Sequence, residues 1–582
     1  MALFHVNQEN REERRDNSDN LLLILSIPDS VCSMSTPTAF ASISPPLQST
    51  PLFPMLPSWR RMGVLRVYLK FVAAVQNRIS GVDSDRISAE LRSYGEGFRV
   101  ANPHLPQRLR FLLDWVIPGH NFEFLTLNTP KLCRELYSLS PDQVDFEVGK
   151  DPFLRFFLGP NSPFLLQGTE HATVRRALTP ELTQAAVERY REISIEVLDR
   201  FIDEMPMNVP VSLQEMFYRF TQEVILRVAF GLEDQDEINE GVCAMSDLLS
   251  SRNASIRTLV TLWPAALLYQ FIRRTKEDLP RWPGRRITEP LARLDALIAR
   301  QIMRFRANPG MDCFGARMVE KADANPKIWT EQVLRDAFRT LLIAGHETSV
   351  TGYSFTIDLL LQNPDKLAVL REEALAAVSD RYAIAANNEG LRLHPPVWGV
   401  PVIAREDVVI GGHRVRRGTW IQAMPAAIHH DPVAYANPTQ FQPERFLDKA
   451  PDRYGFMAFG TGKHRCPGIN FYQLEASIVL HRIFGRLELE AHGRPERAYL
   501  AFAAFSRPAL GMMVVVRDRK PASDVPCYRA STQQERERAA LMRAPEAEDF
   551  PADTSPQVTE PSTPSGAPDQ IHVCPFTEAA HD

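Results

Sequence analysis

The chain has 582 residues, a formal net charge of −5 and 44% hydrophobic residues. That length allows a large buried core, and that charge leaves no electrostatic footprint for a nucleic-acid surface. Seven cysteines, Cys32, Cys133, Cys243, Cys313, Cys466, Cys527 and Cys574, form no C-x-x-C pair, which excludes a zinc ribbon or a small disulfide framework and fits a reducing compartment.

Residues 1–58 pass from charged to Ser/Pro/Thr-rich and read as a disordered N-terminal extension. The most apolar run there, Leu21 to Leu25, is far short of a membrane span and follows "NREERRDNSDN", unlike a secretory signal. The expectation is a cytoplasmic protein with no integral membrane anchor. Residues 59–517 carry continuous globular patterning without a linker or an internal repeat, as one large domain. Helical periodicity dominates at 180–204, 211–231, 290–306 and 330–362, and strand signals cluster at 400–422 and 509–517. The expected fold class is mainly α with small β-sheets. From 518 to 582 the Pro/Ser-rich style returns as a disordered C-terminal tail.

The stretch "FRTLLIAGHETSVTGYSF" interrupts a strong helical pattern. Thr330 is a plausible N-cap, and apolar residues recur at Val333, Leu334, Ala337, Phe338, Leu341 and Leu342. Gly345 then costs about 1 kcal/mol relative to Ala, and the Thr348 hydroxyl competes for the backbone, so the helix is expected to loosen there. A zinc-protease H-E-x-x-H is excluded because position 350 is Val350. On these residues alone, a kink where another element crosses closely is an equal reading.

A second stretch, "FMAFGTGKHRCPGINFYQLEASIVL", puts Cys466 in a loop with Gly460, Gly462 and Gly468, ahead of an apolar-periodic helix. Glycines let backbone amides approach a sulfur and the helix brings its positive end near; both favour thiolate and a soft metal ligand. A lone cysteine is more often a small buried hydrophobe. Here the pattern F-x-x-G-x-(H/R)-x-C-x-G is matched at Phe459, Gly462, His464, Cys466 and Gly468, and it resembles the haem-ligand loop of the cytochrome P-450 superfamily, in its bacterial soluble type.

The resemblance extends in order along residues 59–517. Ala344, Gly345, Glu347 and Thr348 resemble the family's oxygen-activation motif; Glu389 and Arg392 its E-x-x-R pair; and Arg445, in "PERF", its second arginine. By that resemblance Cys466 ligates the iron of a haem b. Ala344, Phe459, Gly460, Gly462 and Gly468 line the haem, and His171, Arg175 and His464 hold its propionates. Glu389, Arg392 and Arg445 form a structural cluster. A further arginine common in the family is replaced by Val402; Arg405 lies nearby, but on the opposite face of a strand.

The resemblance implies a monooxygenase: O2 is reduced with two electrons and two protons, one oxygen leaving as water and the other entering a substrate. Gly345 would open a groove, Thr348 would present a hydroxyl to oxygen, and Glu347 would relay protons. The residues after the last strand are too few and too polar for a flavin domain, so electrons are expected from a ferredoxin and its reductase, with Lys463, Arg465 and Arg176 as a docking face or an ordinary solvated surface. Pocket segments "FFLGPNSPFLL", 225–265, "VWGVP" and "AFAAFS" are apolar and imply a small hydrophobic substrate that is fatty-acid-like, terpenoid or polyketide. Two rivals remain: a peroxide-driven or rearranging thiolate-haem enzyme, and a non-catalytic haem protein that binds a ligand.

Overall fold

The structure, a computed structural model, describes residues 91–101, 123–145, 157–249, 285–397, 401–447, 452–493 and most of 498–529. The expected extension at 1–58, the rest of the tail, Ala503 and Ala504 of one pocket segment and residues 250–265 of another lie outside the described residues.

Helices of nine residues or more are, in chain order, α1 (Pro130–Ser138), α2 (Gly168–Leu178), α3 (Arg191–Glu204), α4 (Leu213–Phe230), α5 (Gln235–Leu249), α6 (Arg285–Ala307), α7 (Phe314–Asp323), α8 (Glu331–Gln362), α9 (Pro364–Ala376), α10 (Arg381–Leu393) and α11 (Ile469–Arg486). The strands are β1 (Gly97–Ala101), β2 (Glu123–Leu127), β3 (Val144–Asp145), β4 (Pro210–Ser212), β5 (Val402–Ala404), β6 (Val408–Ile410), β7 (His413–Val415), β8 (Trp420–Ala423), β9 (Leu487–Ala491), β10 (Ala498–Phe502), β11 (Phe505–Pro508) and β12 (Met513–Arg519). A five-stranded sheet of order β1-β2-β8-β5-β3 stands beside the helices, with β2 and β8 parallel and the other pairs antiparallel. The mainly α reading with small sheets therefore holds.

Two boundaries differ from the sequence reading. The helix expected over 180–204 is three pieces before α3, because Thr183 is extended (φ −67°, ψ 159°) and its hydroxyl caps a new turn at the Ala186 amide. The tail expected from 518 begins too early: β12 runs to Arg519, Val525 and Tyr528 are buried, and their carbonyls accept from Arg482 and Arg191. Two buried guanidinium groups hold a segment whose composition alone gives little sign of packing.

The long helix α8 starts where its cap predicts, the Thr330 hydroxyl accepting from the Val333 amide. It is also unbroken, which corrects the expected interruption at 345–348. Thr348 Oγ1 donates to the Ala344 carbonyl at 3.0 Å and Ser349 Oγ to the Gly345 carbonyl at 2.9 Å, so the hydroxyls add to the ladder without displacing it. Nor is Gly345 the close crossing. A methyl there meets only Ile225 of α4 at 3.7 Å, an ordinary contact, whereas a methyl on Gly352 sits 2.1 Å from the Tyr472 hydroxyl of α11. That hydroxyl is fixed, donating to Asn387 Oδ1 of α10 at 2.8 Å.

Beneath this crossing Glu475 of α11 is 2% exposed and accepts from the Tyr353 hydroxyl at 3.1 Å. Burial pushes its carboxyl up to about 8, against the smaller opposing effect of that hydrogen bond. The folded state thus prefers the neutral acid, and the unfolded chain ionises near pH 4.

Gly345→Ala is expected to raise the unfolding free energy by roughly 0.5–1 kcal/mol in denaturant titration, and Gly352→Ala to lower it by roughly 1–3 kcal/mol through overpacking. Because the folded value of Glu475 lies above its unfolded value, stability from this site is complete below about pH 4 and is lost as pH rises to about 8. Comparing wild type with Glu475→Gln across that window, the wild type should lose up to about 1.4 kcal/mol more per pH unit.

Candidate active site

The site lies between α8 and the loop that precedes α11. Along α8, Leu342, Ile343, His346, Ser349 and Val350 are buried, while Leu341, Ala344, Gly345, Glu347 and Thr348 are not. Leu341, Ala344, Gly345 and Thr348 share one stripe of the helix, which is left open. Tyr472, whose hydroxyl crowds Gly352, lies on the first turn of α11, and Gly352 lies one turn past Thr348. The cysteine loop is therefore moored beside the open stripe.

The loop itself is shaped around Cys466. Gly460 and Gly462 have φ of +69° and +68°, which L side chains rarely adopt, and the Cys466 amide donates to the Phe459 carbonyl at 2.9 Å. The Phe459 ring stands edge-on to Tyr472 at 5.5 Å, fixing the entry to the loop. Gly468 caps α11, and a methyl on it would lie 3.8 Å from the Cys466 sulfur. Its amide and the charges of Arg175 and Arg465 favour thiolate, as expected, but burial outweighs them and pushes the thiol above its ordinary value. The sulfur is solvent-accessible yet ringed by protein.

Opposite the loop, α2 carries His171 and Arg175 one turn apart. The His171 ring stacks on that of His464, centroids 4.0 Å apart. Burial, with the Arg175 and Lys463 charges, pushes His171 down to about 4; burial, with His171, Arg175 and Lys463, pushes His464 down to about 3. Burial likewise lowers Arg175, against the opposing influence of Cys466. Among the described residues Arg175 has no carboxylate partner. Two neutral imidazoles, a desolvated guanidinium and Lys463 converge, and this donor set fits the carboxylates of a haem. Val402 is buried in β5, and Arg405 is committed to Asp145 and Gln167, each at 3.1 Å, so neither joins this group.

Glu389 and Arg392 form a two-point ion pair at 2.7 and 2.8 Å, and Arg445 reaches Glu389 at 3.2 Å, so the three residues meet as expected. Glu347 does not reach Thr348 by a hydrogen bond: its Oε1 accepts from the Tyr218 hydroxyl of α4 at 3.1 Å. Motif reading missed Tyr218, which belongs to no pattern and comes near only because α4 packs along α8. His346, absent from any expected role, is fully buried with both ring nitrogens unpartnered, and burial holds it neutral.

Among the described residues no helix is long and apolar enough to cross a membrane. The family profile for cytochrome P-450 matches residues 120–516. A Mycobacterium tuberculosis protein named cytochrome P-450 137 is 29% identical over 371 residues, which are 63% of this chain and 75% of that protein. Another from the same organism, cytochrome P-450 135A1, is 27% identical over 419 residues, 67% of this chain and 89% of that protein. Cytochrome P-450 138 of Mycobacterium bovis is 27% identical over 408 residues, 67% and 85% of the two chains. With this match spanning the described helices, the cysteine loop and the cation cluster alike, the chain belongs to the cytochrome P-450 family of haem-thiolate monooxygenases.

Proposed function

We propose that Cys466 is the axial ligand of a haem b and that the chain oxygenates a small hydrophobic substrate with electrons from a ferredoxin and its reductase. The observation that carries this reading is the half-buried Arg175, which has no carboxylate partner among the described residues, with neutral His171 and His464, beside the loop that presents the Cys466 sulfur. When bound, the haem supplies the chemistry of O2 reduction and oxygen insertion, with thiolate as the electron-rich ligand.

The chain's own residues do the rest. Arg175 neutralises an anion that the two imidazoles receive by hydrogen bonding. Ala344 and Gly345 keep the α8 stripe thin, so that a flat group and a small ligand fit between helix and loop. Thr348 Oγ1 rests on the Ala344 carbonyl, from which a rotation about χ1 turns its hydroxyl into the open space. Glu347, one residue away, supplies the acidic group that passes protons inward. The presence of both acid and alcohol favours an oxygenase over a peroxide-driven or rearranging enzyme.

Phe157, Leu158, Leu165 and Leu166, from the segment before α2, are buried and apolar, as is Ile225 beside Gly345. This segment is fastened to α8: the Asn161 amide donates to Asp336 at 2.9 Å, and the Ser162 and Thr340 hydroxyls lie 2.7 Å apart. An apolar wall so placed supports a fatty-acid-like, terpenoid or polyketide substrate. Lys463 is exposed, and Arg176 donates to its own helix at Ala172, which leaves a basic rim for an acidic ferredoxin.

The test is the carbon monoxide difference spectrum of reduced protein, with Cys466→Ser alongside. A strongly red-shifted Soret band in wild type that is lost in the variant is expected. A band typical of a neutral ligand, or well-folded wild type without haem, overturns the proposal.

A further inference from the structure

Glu347 is one residue from Thr348, yet about 100° around the helix from it, and its carboxylate faces α4 rather than the open stripe. There Tyr218 donates to Oε1 at 3.1 Å. Among the described residues the other oxygen, Oε2, accepts no hydrogen bond. The surroundings leave Tyr218 as the group that controls this carboxylate. His346, the neighbour on α8, has its ring 5.9 Å from that of Tyr218, is buried and neutral, and offers no charge. Gln214, one turn back on α4, reaches the Tyr218 hydroxyl only at 3.5 Å, the edge of hydrogen-bond range. Arg219 lies over the Phe201 ring at 5.1 Å, and Glu215 is exposed at the start of α4.

We propose that Tyr218 is a positioning residue for the proton-relay acid: its hydroxyl anchors Oε1 of Glu347, so that Oε2 is the oxygen left to take up a proton and give it to the Thr348 side. This rests on the relay role given to Glu347 above. A carboxylate on a three-bond side chain has several rotamers, and a neutral donor at the α4 seam selects one of them without adding a competing positive charge. The phenol therefore supplies orientation.

The test uses haem-loaded protein and O2 as the probe, with no organic substrate. Dithionite-reduced wild type, Tyr218→Phe, Glu347→Gln and the double variant are mixed with oxygenated buffer in H2O and in D2O, and reoxidation rates are compared. Infrared spectra of the resting proteins give a second readout, the carboxylate band being assigned by its loss in Glu347→Gln. Tyr218→Phe should change the rate several-fold and alter the solvent isotope effect when Glu347 is present, should shift the carboxylate band, and should do nothing further in the Glu347→Gln background. Equal effects in both backgrounds, or none in either while Glu347→Gln alone is strongly altered, overturn the positioning role. If Glu347→Gln matches wild type in rate and isotope effect, the relay reading itself fails and this proposal falls with it.

Discussion

Much of the molecule hangs on one buried guanidinium. Arg392 has no exposed surface; it pairs with Glu389 and donates to the carbonyls of His429, Pro438 and Gln440, while its own carbonyl lies 3.0 Å from His429 Nδ1. His429 Nε2 in turn accepts from the Met457 amide at 2.8 Å, two residues before Phe459 and the cysteine loop. A charge buried this deeply is costly, and becomes tolerable only when all its donors are met. Meeting them folds an irregular stretch that no helix or sheet ladder holds. The placement of Cys466 is thus a remote consequence of a helix-borne ion pair.

The other half of the site obeys a steric rule. α8 meets α11 at Gly352, where the Tyr472 hydroxyl fills the place of a methyl, and in the preceding turns α8 leaves the small residues Ala344, Gly345 and Thr348 unburied. Close packing at one turn and small side chains at the next make a gap beside the sulfur while the helix ladder stays intact. Desolvation works with this geometry. It pushes the His171 and His464 imidazoles down and the Cys466 thiol up.

The legible parts of the sequence are those where the chemistry is local. Thr330 and the apolar spacing marked the start of α8, and the glycines flanking Cys466 marked a loop with special backbone angles. Glu389 and Arg392, three apart on a helix, were legible as a pair only through the resemblance, because that spacing alone is common on solvated helix faces. The Gly345 to Thr348 stretch misled, because propensity counts glycine and hydroxyl residues against a helix, whereas side-chain hydroxyls can bond back to the preceding turn. Thr183 misled in the opposite sense, ending a periodic run by capping a new one. Distant contacts outside the motifs of the resemblance were not legible: Tyr218 on Glu347, and Arg191 and Arg482 on the segment up to Tyr528, carry no pattern in either partner.

The central claim is that the Cys466 sulfur is bound to iron in the gap beside α8. X-ray absorption at the iron edge of the purified resting protein addresses it directly, independent of substrate and redox partner. The account predicts one sulfur scatterer at thiolate bonding distance, together with the nitrogens of a macrocycle, and loss of that sulfur in Cys466→Ser. Iron surrounded by nitrogen and oxygen alone, or a sulfur signal that survives the substitution, would contradict it.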